Sequence, residues 1–176
     1  MDEGWRRPPT TPYVVGPLQL RVTRETLRLT VAVLRSFGAL EGCCFWYGSP
    51  DDAGGEVSAV IVPRQINRQR NYHVDGSAMV EIANTVRTHG WKNLSQVHSH
   101  PGTMVEHSPY DDQMAVSRHS LSVVFPRYGN WGGQWSSGVG VHEWQEGYWH
   151  LLVDDVAAHR VAVVDDDAAQ IMDFRR

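Results

Sequence analysis

The stretch VHSHPGTMVEHSPYDDQM, residues 97–114, holds three of the chain's nine histidines and three acids. Side chains of these types bind metal ions, and their spacing decides whether they can meet. Residues two apart in a strand face the same way, so His98 and His100 can present both imidazoles to one point while Ser99 turns aside. A zinc site with catalytic character needs a third protein ligand and an open position for water, all at about 2 Å. Asp111 can supply that ligand as a carboxylate if the loop after His100 folds back. Ser108, Pro109 and Asp111 also read as a helix start: serine as cap, proline at the first helical position, an acid three residues after the cap. The two readings are compatible, because a capping serine fixes the helix end from which Asp111 reaches the metal.

The elements that must position these residues alternate between strand and helix. Residues 18–22 read as a strand, and Thr23 caps a helix with Leu27, Val31 and Leu34 on one face, ended by Gly38. Residues 41–48, EGCCFWYG, form a buried strand, SPDDAGG a turn, and residues 56–63 an alternating strand, together a hairpin. After a polar, arginine-rich stretch, Asp75 caps a helix carrying Met79, Ile82, Ala83 and Val86, closed by Gly90. Residues 94–97 lead as a strand into the histidines; residues 109–117 make a short helix and 121–126 another strand. Beyond the Gly/Trp-rich segment, GVGVHEW, YWHLLV and HRVAVV are expected to form a small meander, followed by a last helix from the acids at 165–167. The histidines at 73, 89, 107, 119, 142, 150 and 159 are read as structural.

With 176 residues, 41% of them hydrophobic, the chain suits one domain: a flexible Pro-rich segment over residues 1–16 and a folded unit over 17–176. A net charge of −4 offers no broad positive field for nucleic acid. No apolar run approaches the roughly 20 residues of a membrane helix, and the start lacks the apolar centre of a signal peptide, so a cytoplasmic location is expected. Cys43 and Cys44 are adjacent, should point to opposite faces of a strand, and should not bridge each other.

His98-Ser99-His100-Pro101 followed by Ser108 and Asp111 resembles the JAMM signature of the MPN/JAB-domain metalloisopeptidases. That family has a glutamate upstream, at the start of the strand after the first helix, in a form like E-x-G-G-x-L-x-G; Glu41 begins the corresponding EGCCFWYG, with Cys43 and Cys44 where the family often has glycine and a small or apolar residue. The resemblance covers roughly residues 17–126, and the later strands look like bacterial JAB domains that accompany ubiquitin-like conjugation enzymes. It implies an α/β (α+β) fold of cytidine-deaminase-like architecture, a mixed β-sheet flanked by helices. It also implies Zn²⁺ on His98, His100 and Asp111. The metal-free branch of the family is disfavoured because every metal position is filled. A His-x-His with Glu106 nearby also resembles the start of a cupin motif, but Gly90 is misplaced for it and the helices around Arg24 and Ala78 argue against an all-β barrel.

The chemistry implied is amide hydrolysis. Zinc lowers the pKa of bound water to about 7 and polarises the carbonyl. Glu41, outside the ligand set, takes the water proton and delivers it to the leaving lysine nitrogen, and Ser108 hydrogen-bonds the oxyanion. The expected substrate is an isopeptide or peptide bond after the C-terminal tail of a ubiquitin-like protein in a bacterial conjugation or antiviral defence system, with the conjugation enzymes encoded beside it as possible partners. Arg64, Arg68 and Arg70 mark a candidate tail-binding segment; Trp131 and Trp135 either cover the site or fill the fold. A zinc hydrolase of another small amide or peptide and a non-enzymatic, metal-stabilised binding module are the alternatives.

Overall fold

The computed structural model describes residues 6–166 and 168–176. Strand β1 (Gln19–Thr23) runs directly into helix α1 (Arg24–Arg35), since the Thr23 hydroxyl accepts the Thr26 amide at 3.0 Å and so starts the helix. Strands β2 (Cys43–Ser49) and β3 (Gly54–Val62) form the expected antiparallel hairpin. A two-stranded ribbon, β4 (Ile66–Asn67) with β5 (Tyr72–His73), occupies the arginine-rich stretch. Helix α2 (Gly76–Val86) is capped by the Asp75 carboxylate, which accepts the Ala78 amide at 3.0 Å. Strand β6 (Lys92–Ser99) pairs antiparallel with β2; the short helix α3 (Pro109–Met114) connects it to β7 (Leu121–Phe125), parallel to β6. Strands β8 (Gly140–Gln145) and β9 (Tyr148–Leu151) follow, then helix α4 (Asp154–Arg160), β10 (Val161–Val164) and β11 (Gln170–Asp173). The result is one mixed sheet, in order β10-β1-β3-β2-β6-β7-β8-β9 with β11 also on β3, flanked by helices.

The alternation of β2 divides the core between the two faces of this sheet. Cys44 and Trp46 join Leu34, Val60, Val97, Val123 and Phe125 on the face covered by α1 and α4. Cys43, Phe45 and Tyr47 join Ile61, Tyr72, Ile82 and Val86 on the face covered by α2. The adjacent cysteines are accordingly buried, unbridged and on opposite faces. Among the described residues no helix is long and apolar enough to cross a membrane.

Two expectations are corrected in the C-terminal third. The HRVAVV stretch does not complete a meander: His159 and Arg160 end α4, and β10 lies at the opposite end of the sheet order from β9, paired in parallel with β1. Nor does a helix begin at Asp165 and Asp166; Asp167 lies outside the described residues, and the chain returns as β11. The physical reason is that β1 meets β3 only from Gly54 to Glu56, so Ala59 to Val62 need another ladder partner, which Gln170 to Asp173 supply. Residues 6–16, marked by sequence as flexible, carry no helix or strand but are tied across β8: Tyr13 donates to the Glu143 carboxylate at 2.6 Å, and the Val14 backbone bonds the Gln145 amide twice.

The β2–β3 hairpin bulges between Tyr47 and Gly48, and there a Cβ on Gly48 would lie 1.9 Å from the Glu56 carbonyl oxygen. Gly48→Ala should therefore destabilise the fold by about 1–3 kcal/mol, read as a lower urea midpoint, because rigid backbone stands in the way. A midpoint equal to wild type would mean the bulge opens at no cost.

Candidate metal centre

The ladder of β6 aims the two histidines. His98 pairs with Cys43 on one side and Val124 on the other, which turns its ring to the α2 face, beside Tyr72 at a centroid distance of 5.5 Å. One residue past the strand, the His100 amide still bonds the Phe125 carbonyl at 2.9 Å, while Ser99 points the other way and accepts the Gly42 amide. Arg127 and Tyr128 hold left-handed backbone conformations, φ 51° and 55°, that return the Tyr128 amide to the His100 carbonyl at 2.8 Å. Asp111 arrives from α3. Ser108 forms a full capping box with it: the Ser108 amide and hydroxyl each donate to Asp111 Oδ2 at 2.7 Å, and the Asp111 amide returns to the Ser108 hydroxyl at 3.2 Å.

His98, His100 and Asp111 thus bring one donor atom each into a single cluster, largely buried. Nε2 of His98 lies 3.2 Å from Nε2 of His100 and 3.4 Å from Asp111 Oδ1, and Nε2 of His100 lies 3.2 Å from Asp111 Oδ2. Tetrahedral ligation with bonds of about 2.0–2.1 Å separates neighbouring donors by about 3.3–3.4 Å, so the three residues fit a metal ion. The His100 Nδ1 is 3.0 Å from the Met104 carbonyl and so carries a proton, which leaves Nε2 to donate to Asp111 when the ring is charged or to offer a lone pair to a metal ion when it is neutral. On His98, Nδ1 is buried without a partner among the described residues, so no contact at that nitrogen fixes the tautomer.

Burial pushes His98 down to about 3, against the pull of Asp111, and keeps it neutral. Burial also opposes charge on His100, but the bond to Asp111 outweighs it and the net shift is upward. Asp111 is buried too, yet the two imidazoles and Ser108 hold its carboxyl well below the usual carboxylate range.

Glu41 is outside the three-residue cluster. It lies just before β2, 5% exposed, and the β4–β5 ribbon pins its backbone from both ends: its amide donates to the Arg68 carbonyl at 2.7 Å and its carbonyl accepts the Asn67 side chain at 2.8 Å. Gln65 similarly holds Cys43, bonding its amide and its carbonyl at 2.8 Å each. Burial raises the Glu41 carboxyl to about 7, with His100 and Arg70 opposing and Asp111 adding. The ribbon itself is tied to the far side of the site by the Tyr128 hydroxyl, which donates to the Gln69 carbonyl at 3.1 Å. Sequence reasoning missed Gln65, Asn67 and Tyr128, since polar residues in a loop carry no periodic signal.

The other candidates sort themselves by position. Arg64 is committed to α2, bonding Ser77 and pairing with Glu81, so of the three arginines it is the one held away from Glu41. Glu106 pairs with Arg6 outside the histidine cluster, and the sheet is flanked by helices, which removes the cupin reading. Trp131 and Trp135 pack on the α1 face against Phe125 and Trp46, opposite the histidines, so they fill the fold and do not cover the site.

No protein-family model and no curated protein matches the chain. Among solved structures, it resembles a protein from Desulfitobacterium hafniense determined in solution, with TM-score 0.67 and 15% identity over 84% of this chain and 94% of that one. It also resembles a protein from Salinibacter ruber, with TM-score 0.57 and 17% identity over 84% of this chain and 92% of the other. At these identities the likeness is one of fold.

A buried carboxyl with a raised pKa makes stability depend on pH. Between its ordinary value of 4.5 and about 7 the unfolded chain releases the Glu41 proton while the folded protein keeps it, so this contribution is fully present below 4.5 and is lost as pH rises through 7. In chelator-treated protein, Glu41→Gln should remove that slope, seen as a wild-type-minus-variant stability difference that falls across this window in urea denaturation. A constant difference would put the carboxyl in water.

Proposed function

We propose that the chain is a zinc-dependent isopeptidase or peptidase of the JAB/MPN type, with that family's cytidine-deaminase-like architecture, acting in the cytoplasm after the C-terminal tail of a ubiquitin-like protein in a bacterial conjugation or antiviral defence system. The observation that carries this reading is the convergence of two imidazole Nε2 atoms and one carboxylate within 3.4 Å, on residues spaced as His-x-His and Ser-x-x-Asp. Two nitrogens and one oxygen suit zinc and leave a fourth position for water or substrate. Zinc held there supplies a Lewis acid for the carbonyl and a water of lowered pKa, about 7.

The chain's own residues do the rest. Glu41, raised to about 7, is poised to take a proton and to give it back to the departing amine at neutral pH. Its backbone anchoring by Asn67 and Arg68 keeps the carboxylate from wandering, and proton transfer needs that geometry. Ser108, exposed at the rim, serves an oxyanion by turning its hydroxyl away from Asp111, whose Oδ2 retains the Ser108 backbone N–H. The ribbon that carries Arg68 and Arg70 offers an edge on which an extended tail can add as a strand, without nucleic acid or membrane as partner.

Wild-type protein expressed with zinc should carry one zinc per chain, and His98→Ala or Asp111→Ala should lose it, by metal analysis of the purified proteins; wild type without stoichiometric metal would end the proposal. Zinc without cleavage of any ubiquitin-like fusion would leave hydrolysis of a smaller amide, or a binding role. Glu41→Gln should keep its zinc while cleavage falls by about 10²- to 10⁴-fold. Loss of zinc in that variant would make Glu41 a ligand.

A further inference from the structure

The segment that carries Ser108 and Asp111 is bracketed by a residue a hundred positions away in the chain. Arg6 has 6% of its side chain exposed; its guanidinium donates to Asp112 at 2.8 Å, to Glu106 at 3.3 Å and to the Trp149 carbonyl at 2.7 Å, and it lies 4.5 Å over the Tyr148 ring. Glu106 and Asp112 stand on either side of Ser108 and Asp111, so one planar fork grips both ends of the segment and fastens it to β9. The grip continues inward: the other oxygen of Asp112 meets His107 Nδ1 at 2.9 Å, and His107 Nε2 meets the Ser122 hydroxyl on β7 at 2.7 Å. We propose that Arg6 is a positioning residue, clamping residues 106–112 so that the Asp111 carboxylate stays against His98 and His100. This rests on the metal reading above for its consequence, though the clamp itself is a property of the metal-free chain.

A six-residue helix cannot hold itself in place, which is why a distant side chain can matter to it. Groups that orient metal ligands typically change affinity by about 10- to 100-fold when removed. Two measurements on Arg6→Ala test the clamp separately from the metal. In metal-free protein, hydrogen exchange at the Asp112 and Ala115 amides, which bond Ser108 and Asp111, should quicken at least tenfold while the Val60 and Val97 amides keep wild-type rates. In chelator competition with zinc, affinity should fall about 10- to 100-fold, with Arg6→Lys between the two because it keeps the charge and loses the fork, and with Arg7→Ala at the wild-type value. Wild-type exchange at the α3 amides overturns the clamp whatever the metal does. Faster exchange there with unchanged zinc affinity overturns the positioning role, and faster exchange in a protein whose wild type takes no zinc keeps the clamp and sinks the metal reading instead. A uniform loss of protection, core amides included, would make Arg6 a general stabiliser and overturn the proposal as well.

Discussion

A carboxylate buried between two imidazoles is the constraint around which this molecule is arranged. Asp111 exposes 5% of its side chain, and a lone carboxylate at that depth costs several kcal/mol, on the order of the whole stability of a small domain. It stays ionised only because the Ser108 amide, the Ser108 hydroxyl and the two rings all face it. Hydrogen bonds are directional, so groups from two separate segments must be held in place together. The histidines inherit their place from the sheet ladder. The acid comes from a helix of six residues, too short to be stable alone, and takes its position from its surroundings: the capping box, the Tyr110 hydroxyl on the Tyr72 carbonyl at 2.9 Å, and the Asp112 chain to His107 and Arg6.

Register is the second half of the same constraint. Cys43 stands opposite His98 and Cys44 opposite Val97, so the α2 face receives the imidazole ring while the α1 face receives the apolar side chain. A slip by one residue would bury Val97 at the site and drive His98 into the core against α1. The apolar packing of Trp46, Val97, Val123 and Phe125 on that far face makes the slip costly, and the buried Trp46 ring is further fixed by its bond to Thr30 at 2.9 Å. Stability of the sheet and aim of the histidines are in this sense one property. It also explains why Trp131 and Trp135 belong with the core: they complete the face that locks the register.

How much of this could be read in the chain depended on whether the signal was local. Caps announced themselves: Thr23, Asp75 and Ser108 each begin a helix where sequence places one, because the cap bond spans only three residues. The histidine pair was equally plain, since two-residue alternation is a property of any strand. The C-terminal third was misread because its determinants are remote. Val161 to Val164 look like the next strand of a meander, and only the unpaired edge of β1 says otherwise; Gln170 to Asp173 look helical after three acids, and only the unmet ladder of β3 makes them a strand. Parallel pairing leaves no turn signature in the sequence to reveal it. Arg6 is the extreme case, a single arginine in a Pro-rich stretch whose partners are a hundred residues and more away.

Distances alone do not make a catalytic site, and the chain contains its own demonstration. Ser122, His107 and Asp112 form a hydrogen-bonded chain, 2.7 Å and 2.9 Å, of the kind a serine hydrolase uses to activate its nucleophile. Yet Ser122 is 1% exposed on a strand with neighbours on both sides, and His107 is stacked on His142 at 3.9 Å, so no carbonyl can approach the hydroxyl. The same bonds that would lower a barrier in an open cleft here serve as a cross-link between β7 and α3. At the cluster of His98, His100 and Asp111 the exposure differs. His100 sits just past the end of β6, where the regular strand stops, and keeps 12% of its side chain in solvent, with exposed Ser108 at the rim. The strand's end is therefore what separates the two groups: one lies where the sheet is closed and can only support, the other where it opens toward solvent.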